Sequence, residues 1–205
     1  LLDEIGTDGL VEMAGRLGKR AMSVVERQGL ALTLGSGEVS LIQLVAAYGA
    51  FANGGVALQP RIIECVEDAA RKVIYRPPKP TTERVLDPRV AYLISNVLSD
   101  EQARVRAFGE GSALDLPFPA AVKTGTTTDW RDNWTVGYTT RWVAGVWVGN
   151  ASGEPMRHVT GVTGAAPIWN AVMRSAHADD ASPPEPFPRP EGLVEAAVCV
   201  EAGPS

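Results

Sequence analysis

The sequence has 205 residues, of which 45% are hydrophobic, and a formal net charge of −5 at neutral pH. This length fits one ordinary domain, alone or with a fragment of another, and the hydrophobic content is sufficient for a buried core. The acidic balance and the lack of any Lys or Arg block argue against nucleic acid as a partner. The chain begins at Leu1 without Met, and we interpret it as an internal piece of a longer protein.

The cysteines and histidines do not have the spacing of a metal site. Cys65 and Cys199 are far apart, and His158 and His177 lie in different contexts. The pattern therefore predicts no bound metal, and it leaves open whether the two cysteines form a disulfide.

The N-terminal half predicts two helices. Residues 8–18 have apolar side chains on one side and end in glycine. Ser40 and Gln43 form a capping box ahead of a second, buried helix that Gly54 and Gly55 terminate. The uncharged stretch that follows Ser40 contains polar residues and a glycine pair, which indicates a core helix rather than a membrane span.

The next segment predicts a small hairpin and a third helix. Residues 61–67 and 72–76 are rich in β-branched side chains and flank a polar turn. Asp87 followed by Pro88 is typical of a helix start. Residues 99–119 contain several glycines and prolines, and we interpret them as a loop that forms part of a site wall.

Three strands and a last helix follow. Residues 120–126, 133–138 and 142–148 have short connections, which favours an antiparallel meander. The third strand carries apolar groups on both faces, which predicts a central strand covered on both sides. Residues 165–176 predict a helix. The fold class is therefore α+β, with an antiparallel sheet flanked by helices.

The C-terminal region changes character after residue 177. Residues 178–192 are rich in proline and predict an extended linker. Residues 193–205 begin like the first strand of a further β module. We therefore divide the chain into a domain at 1–177, a linker at 178–192 and the start of an extension at 193–205.

The most informative motif is the end of the first meander strand, Lys123-Thr124-Gly125-Thr126-Thr127. Lys123 supplies positive charge, Gly125 allows a ligand to lie close to the backbone, and the threonine hydroxyls can donate to a carboxylate. This combination predicts an anion-binding strand edge.

Several segments together resemble the transpeptidase domain of the bifunctional penicillin-binding proteins, over about residues 1–176. The matching segments are 34–40, 48–55, 123–126, 129–138, 145–150 and 164–169. The resemblance implies a β-lactamase/transpeptidase-like fold, incomplete in this chain, and an enzyme that cross-links peptidoglycan stem peptides and is acylated by penicillin. It implies no cofactor. The implied partners are the D-Ala-D-Ala end of the stem peptide and β-lactams, and the implied location is the periplasmic face of the bacterial inner membrane.

The resemblance also implies roles for the motif residues. Lys123 and Thr126 take catalytic roles, with the Thr126 N–H as half of an oxyanion hole. Thr124, Gly125, Thr126 and Thr127 bind substrate, which lies along the strand as an added antiparallel partner.

Two motifs of that family are absent from the 205 residues. None of the lysines follows a serine in Ser-x-x-Lys, and no serine begins Ser-x-Asn. We expect the nucleophile on an upstream half of the same domain and expect this piece alone to be inactive. Residues 142–148 would pair with a strand of that half, and in its absence they form an apolar edge open to another chain.

Two other assignments stay open from the sequence. One is a DD-carboxypeptidase or serine β-lactamase of the same superfamily, although the Glu-x-x-Leu-Asn pattern of class A β-lactamases is absent. The other is a non-catalytic module, either a β-lactam sensor or a scaffold for other cell-wall proteins.

Overall fold

The structure is a computed structural model that describes residues 2–18, 38–157 and 159–196. Its helices are α1 (Leu2–Arg16), α2 (Leu41–Ala52), α3 (Pro88–Ser99), α4 (Glu101–Phe108) and α5 (Ala165–Ala176). Its strands are β1 (Val56–Leu58), β2 (Val66–Glu67), β3 (Val73–Tyr75), β4 (Thr82–Arg84), β5 (Ala121–Thr126), β6 (Asp132–Tyr138) and β7 (Val143–Gly149). None of the helices in these ranges is long and apolar enough to cross a bilayer.

The main sheet is the predicted antiparallel meander, with strand order β5-β6-β7. Lys123 of β5 lies opposite Val136 of β6, and Val136 lies opposite Gly145 of β7. In the described part of the chain, β7 pairs with β6 alone, so it is an edge strand rather than a central one.

Helices cover both faces of this sheet, which explains the apolar character of both faces of β7. A Cβ on Gly145 would contact Val45 and Leu41, so this face lies against α2. On the opposite face, Ala144 and Val146 pack against a buried cluster that includes Trp169 and Met173 of α5. The expectation that the strand is covered on both sides is confirmed.

Close packing between β6 and α5 depends on a glycine. Trp169 is fully buried, and a Cβ on Gly137 would collide with its indole ring and would lie 2.7 Å from the Ala121 carbonyl oxygen. The absence of a side chain at Gly137 therefore lets α5 lie directly on the sheet beside β5.

Local signals set most helix ends. The Ser40 hydroxyl accepts from the Gln43 N–H and the Gln43 side chain accepts from the Ser40 N–H, which is the predicted capping box at the start of α2. The helix ends at Ala52, before Gly54 and Gly55, as the glycine pair predicts. The Asp87 side chain likewise caps α3. The first helix begins earlier than residue 8 because Gly6, at φ 75°, joins two helical pieces.

The structure corrects two sequence-based assignments and adds one strand pairing. Residues 99–119 are not loop throughout, because the Asp100 side chain accepts from the Ala103 N–H and starts α4. The predicted hairpin exists but is shorter, with only β2 and β3 paired. The pairing of β1 with β4 was not predicted, because its partners lie far apart in sequence.

The proline-rich segment lies against the domain. The Phe187 ring packs on Tyr138, with ring centroids 5.4 Å apart, and Pro184 is buried. Residues 193–196 are not in a strand, and the remainder of the predicted terminal strand, with Cys199, lies outside the described residues. Cys65 is a free thiol in the described part.

Candidate active site

The candidate site is the C-terminal end of β5, where burial gives way to exposure. Ala121 and Val122 are buried, whereas the Lys123 side chain is exposed and Thr124 and Gly125 are half-buried. The apolar start of the strand anchors it in the core, so the polar end is held on a rigid element.

Strand alternation places the motif side chains on two faces. Lys123 and Gly125 share the face that carries Trp134 and Gly145, next to α2. Thr124 and Thr126 lie on the opposite face, against Gly161. Lys123 and the threonine hydroxyls therefore lie on opposite faces of the sheet, and a ligand can contact both only at the edge of β5.

The backbone at that edge is available for pairing. The Thr127 N–H donates to the Asp132 carbonyl at 3.0 Å, which marks this pair as hydrogen-bonded across the antiparallel ladder. Because hydrogen-bonded and non-bonded pairs alternate, the N–H groups of Thr124 and Thr126 point away from β6. No other described strand pairs with this side of β5. This geometry fits an added extended peptide and an N–H aimed at a substrate carbonyl.

The Lys123 ammonium lies at the same edge. Its Nζ donates to the Thr124 carbonyl oxygen at 2.6 Å, and that oxygen points outward because Thr124 is in a non-bonded pair. Lys123 makes no salt bridge with the carboxylates in the described ranges. Its positive charge is therefore not neutralised there by a neighbouring acidic group.

A hydrogen bond from the segment around Gly161 fixes the Thr126 hydroxyl. Its Oγ1 accepts from the Gly161 N–H at 3.0 Å, and the Thr135 hydroxyl donates to the Gly161 carbonyl at 3.1 Å. A hydroxyl that accepts from a backbone N–H keeps its own hydrogen for a further acceptor. Thr126 is therefore positioned to donate to a ligand carboxylate.

The Thr127 hydroxyl is engaged within the turn that follows β5. Its Oγ1 accepts from the Asp132 N–H at 2.8 Å and donates to the Asp132 carboxylate at 3.2 Å. Thr127 therefore fixes the strand end, while its predicted contact with substrate stays a prediction.

Asp132 is a residue of the site that the sequence did not single out. Its carboxylate also accepts from the Trp147 indole N–H at 2.9 Å, so it links the ends of all three strands. The register was the missing signal, since residue 132 lies opposite 149 and therefore shares a face with 147.

Two concavities elsewhere do not involve this strand end. One is lined by residues of the 111–115 loop and α5, and the other by α2, α3 and the proline-rich segment. Among the residues that the structure describes, the site on β5 is thus an open edge, and neither of these two concavities encloses it.

Comparison with known proteins agrees with this geometry. Residues 5–174 match the family model of the penicillin-binding protein transpeptidase domain. The chain is 32% identical to penicillin-binding protein 1C of Escherichia coli over 86% of its length and 31% identical to penicillin-binding protein 2D of Bacillus subtilis over 97%. These alignments span 21% and 28% of the two relatives, so the chain corresponds to about a quarter of their length.

Solved structures show the same fold. The PonA1 protein of Mycobacterium tuberculosis, in complex with penicillin V, superposes with a TM-score of 0.72 at 23% identity, over 89% of this chain and 52% of that one. Penicillin-binding protein 1A of Haemophilus influenzae gives a TM-score of 0.70 at 20% identity, over 87% and 32%. The fold class is thereby confirmed, and the chain belongs to the penicillin-binding protein transpeptidase domain family.

Proposed function

We propose that this chain is part of a serine DD-transpeptidase that cross-links peptidoglycan stem peptides and is acylated by penicillin. The observation that carries the proposal is the edge of β5 that no described strand pairs with. Outward N–H groups, the Lys123 ammonium and the Thr126 hydroxyl occur together there in a chain of this family.

The reaction divides between this chain and an upstream part of the same domain. A serine of that part attacks the carbonyl carbon of the penultimate D-Ala, the peptide C–N bond breaks, and the terminal D-Ala leaves with a proton on its amine. An amine of a neighbouring stem peptide then attacks the acyl ester, forms the new amide and releases the serine.

The residues of this chain bind and polarise the donor peptide. The donor lies along the edge of β5 as an added antiparallel strand. The Thr126 N–H points at the carbonyl oxygen that becomes negative during attack, and the Lys123 charge and the Thr126 hydroxyl receive the terminal carboxylate. A β-lactam presents a carbonyl and a carboxylate in a similar relation, so the same groups bind it.

Three further assignments belong to this proposal. The motif segment 129–138 favours a relation to penicillin-binding protein 1C, although identity to penicillin-binding proteins 1C and 2D is nearly equal. We place the parent protein at the periplasmic face of the bacterial inner membrane. We also assign the unpaired edge of β7 to a strand of the upstream half, because the described residues supply no partner for it.

The proposal is tested by replacing Lys123→Ala in the full-length protein and measuring the rate of acylation by a fluorescent penicillin. Loss of a hydrogen bond to a charged group costs about 1.5–3 kcal/mol, which predicts a slowing of about 10- to 150-fold. Lys79→Ala, in the exposed segment before β4, is the matched control and should react like the wild type. If Lys123→Ala reacts at the wild-type rate, the assigned role of Lys123 is wrong. A second assay incubates the full-length protein with a stem peptide and an added amine acceptor and identifies the products. A transpeptidase forms a new amide with the amine, whereas a carboxypeptidase only hydrolyses the terminal peptide bond.

A further inference from the structure

We infer that Asp132 is a positioning residue for the end of β5 that carries the Thr126 N–H, the proposed oxyanion-hole donor. Asp132 acts through Thr127 and is held in place by Trp147. This inference rests on the proposed function, because it gives the Thr126 N–H a catalytic task. The network of Thr127, Asp132 and Trp147 is called the strand-end clamp below.

The strand-end clamp closes the turn by three hydrogen bonds between two residues. The Thr127 N–H donates to the Asp132 carbonyl at 3.0 Å, the Asp132 N–H donates to Thr127 Oγ1 at 2.8 Å, and the Thr127 hydroxyl donates to Asp132 Oδ2 at 3.2 Å. In a regular antiparallel pair the Asp132 N–H would donate to the Thr127 carbonyl, and here it donates to the Thr127 hydroxyl oxygen instead. The peptide group that joins Thr126 to Thr127 is fixed from its C-terminal side.

The second carboxylate oxygen ties this turn to the far strand. The Trp147 indole N–H donates to Asp132 Oδ1 at 2.9 Å. The indole ring also lies over Gly149, where a Cβ would collide with it, and it contacts Trp134 with ring centroids 6.4 Å apart. Asp132 makes no salt bridge in the described ranges, so its carboxylate serves these two donors.

The turn inside the strand-end clamp is strained. Asp129 and Trp130 are consecutive non-glycine residues with φ of 62° and 53°. Such conformations persist where surrounding contacts enforce them, and they concentrate at functional sites. Backbone hydrogen bonds hold part of this turn, since the Trp130 N–H donates to the Thr127 carbonyl at 3.2 Å and the Met156 N–H donates to the Trp130 carbonyl at 3.0 Å. The Asp132 carboxylate adds the bond from the Thr127 hydroxyl and the link to Trp147. Loss of the carboxylate removes both of these bonds, so the turn should loosen and the end of β5 should shift.

The consequence is specific to the reaction. An oxyanion donor must be in place before attack, and a small displacement of a preorganised group slows chemistry far more than it alters folding. Trp147, which holds Asp132, also contacts Trp134, and Trp134 pairs with Gly125 in the ladder. The strand-end clamp therefore holds the chain on both sides of Thr126, at Gly125 through Trp134 and at Thr127. A defect in the strand-end clamp should therefore slow acylation without a matching loss of stability.

The test uses the full-length protein with Asp132→Ala, Thr127→Val and Trp147→Phe, and with Trp142→Phe as the matched control. Trp142 lies near the other end of β7, exposed, and outside the strand-end clamp. The acylation rate with a fluorescent penicillin should fall about tenfold or more in the first three variants and stay near the wild-type rate in Trp142→Phe. Thr127→Ser retains the hydroxyl and should recover most of the rate lost in Thr127→Val.

Two further readouts separate positioning from general destabilisation. The double variant Thr127→Val with Trp147→Phe should be no slower than the slower single variant, because Trp147 holds Asp132 and Asp132 acts through the Thr127 hydroxyl. Hydrogen exchange of the Thr127 amide, which donates to the Asp132 carbonyl, should accelerate in Asp132→Ala, while the melting temperature changes little.

The outcomes distinguish this inference from the proposed function. If the wild type is acylated and Asp132→Ala reacts equally fast, the strand-end clamp has no positioning role and the proposed function stands. If the wild type is not acylated, the proposed function fails, and the exchange measurement decides whether Asp132 still orders the strand end. Unchanged exchange at the Thr127 amide in Asp132→Ala overturns the inference in either case.

Discussion

A methyl group added at Gly161 should disturb the candidate site directly. A Cβ there would lie 3.0 Å from the carbonyl oxygens of Gly125 and Trp134 and 3.0 Å from the Thr124 Cβ. None of these atoms is the free end of a flexible side chain, so the segment around Gly161 must withdraw from β5. Withdrawal lengthens the bond from the Gly161 N–H to Thr126 Oγ1.

Overpacking of this kind costs about 1–3 kcal/mol. For a domain of 150–250 residues, each kcal/mol lowers the melting temperature by about 2–4 °C, so Gly161→Ala should melt several degrees lower. It should also slow acylation by penicillin, because the Thr126 hydroxyl loses its support. Both quantities are measured on the full-length protein by differential scanning fluorimetry and fluorescent-penicillin labelling.

Gly49→Ala is the control for this experiment. Gly49 lies inside α2, and no atom lies within 4 Å of a Cβ placed there. Alanine in a helix interior is favoured over glycine by about 0.5–1 kcal/mol, so this variant should melt at or above the wild-type temperature. If Gly161→Ala matches the wild type in both melting and acylation, the close approach of the 161 segment to β5 is refuted.

Three further predictions concern the scaffold. Burial raises the pKa of Tyr138 to about 12, above its usual value near 10. The stability that the neutral Tyr138 hydroxyl contributes is therefore complete below pH 10 and should be lost as pH rises toward 12. The pH dependence of unfolding of Tyr138→Phe should lack this loss. At neutral pH, Tyr138→Phe also removes the hydrogen bond to Ser95 and should cost about 0.5–1.5 kcal/mol in denaturant unfolding, whereas the exposed Tyr75→Phe should be neutral. Ser40→Ala removes the capping box of α2 and should cost about 1 kcal/mol, measured the same way; an unchanged midpoint would contradict that role for the cap.

Local sequence rules predicted much of this fold. The meander followed from strand-length segments with short connections, and α2 followed from a capping box that acts within one turn. By contrast, α4 was missed because its sequence has no apolar stripe and none of its side chains is buried, although Asp100 and Gly109 marked its ends. The pairing of β1 with β4 depends on contacts between distant residues, which no local pattern contains.

The candidate site was predicted in composition but only partly in arrangement. Lys123 and the threonines that follow it were recognisable as an anion-binding strand end. Their division between two faces, and the outward direction of the Thr126 N–H, follow only from the register with β6. The role of Asp132 needed the register of all three strands, because its partners Thr127 and Trp147 lie on different ones.

The central claim is that the edge of β5 assists a serine that lies outside these 205 residues. The most direct measurement is to label the full-length protein with penicillin, digest it and locate the adduct by peptide mass spectrometry. We expect one adduct, on the serine of a Ser-x-x-Lys motif upstream of Leu1, and no labelling of a protein made of residues 1–205 alone. An adduct on any serine or threonine within residues 1–205 would contradict it.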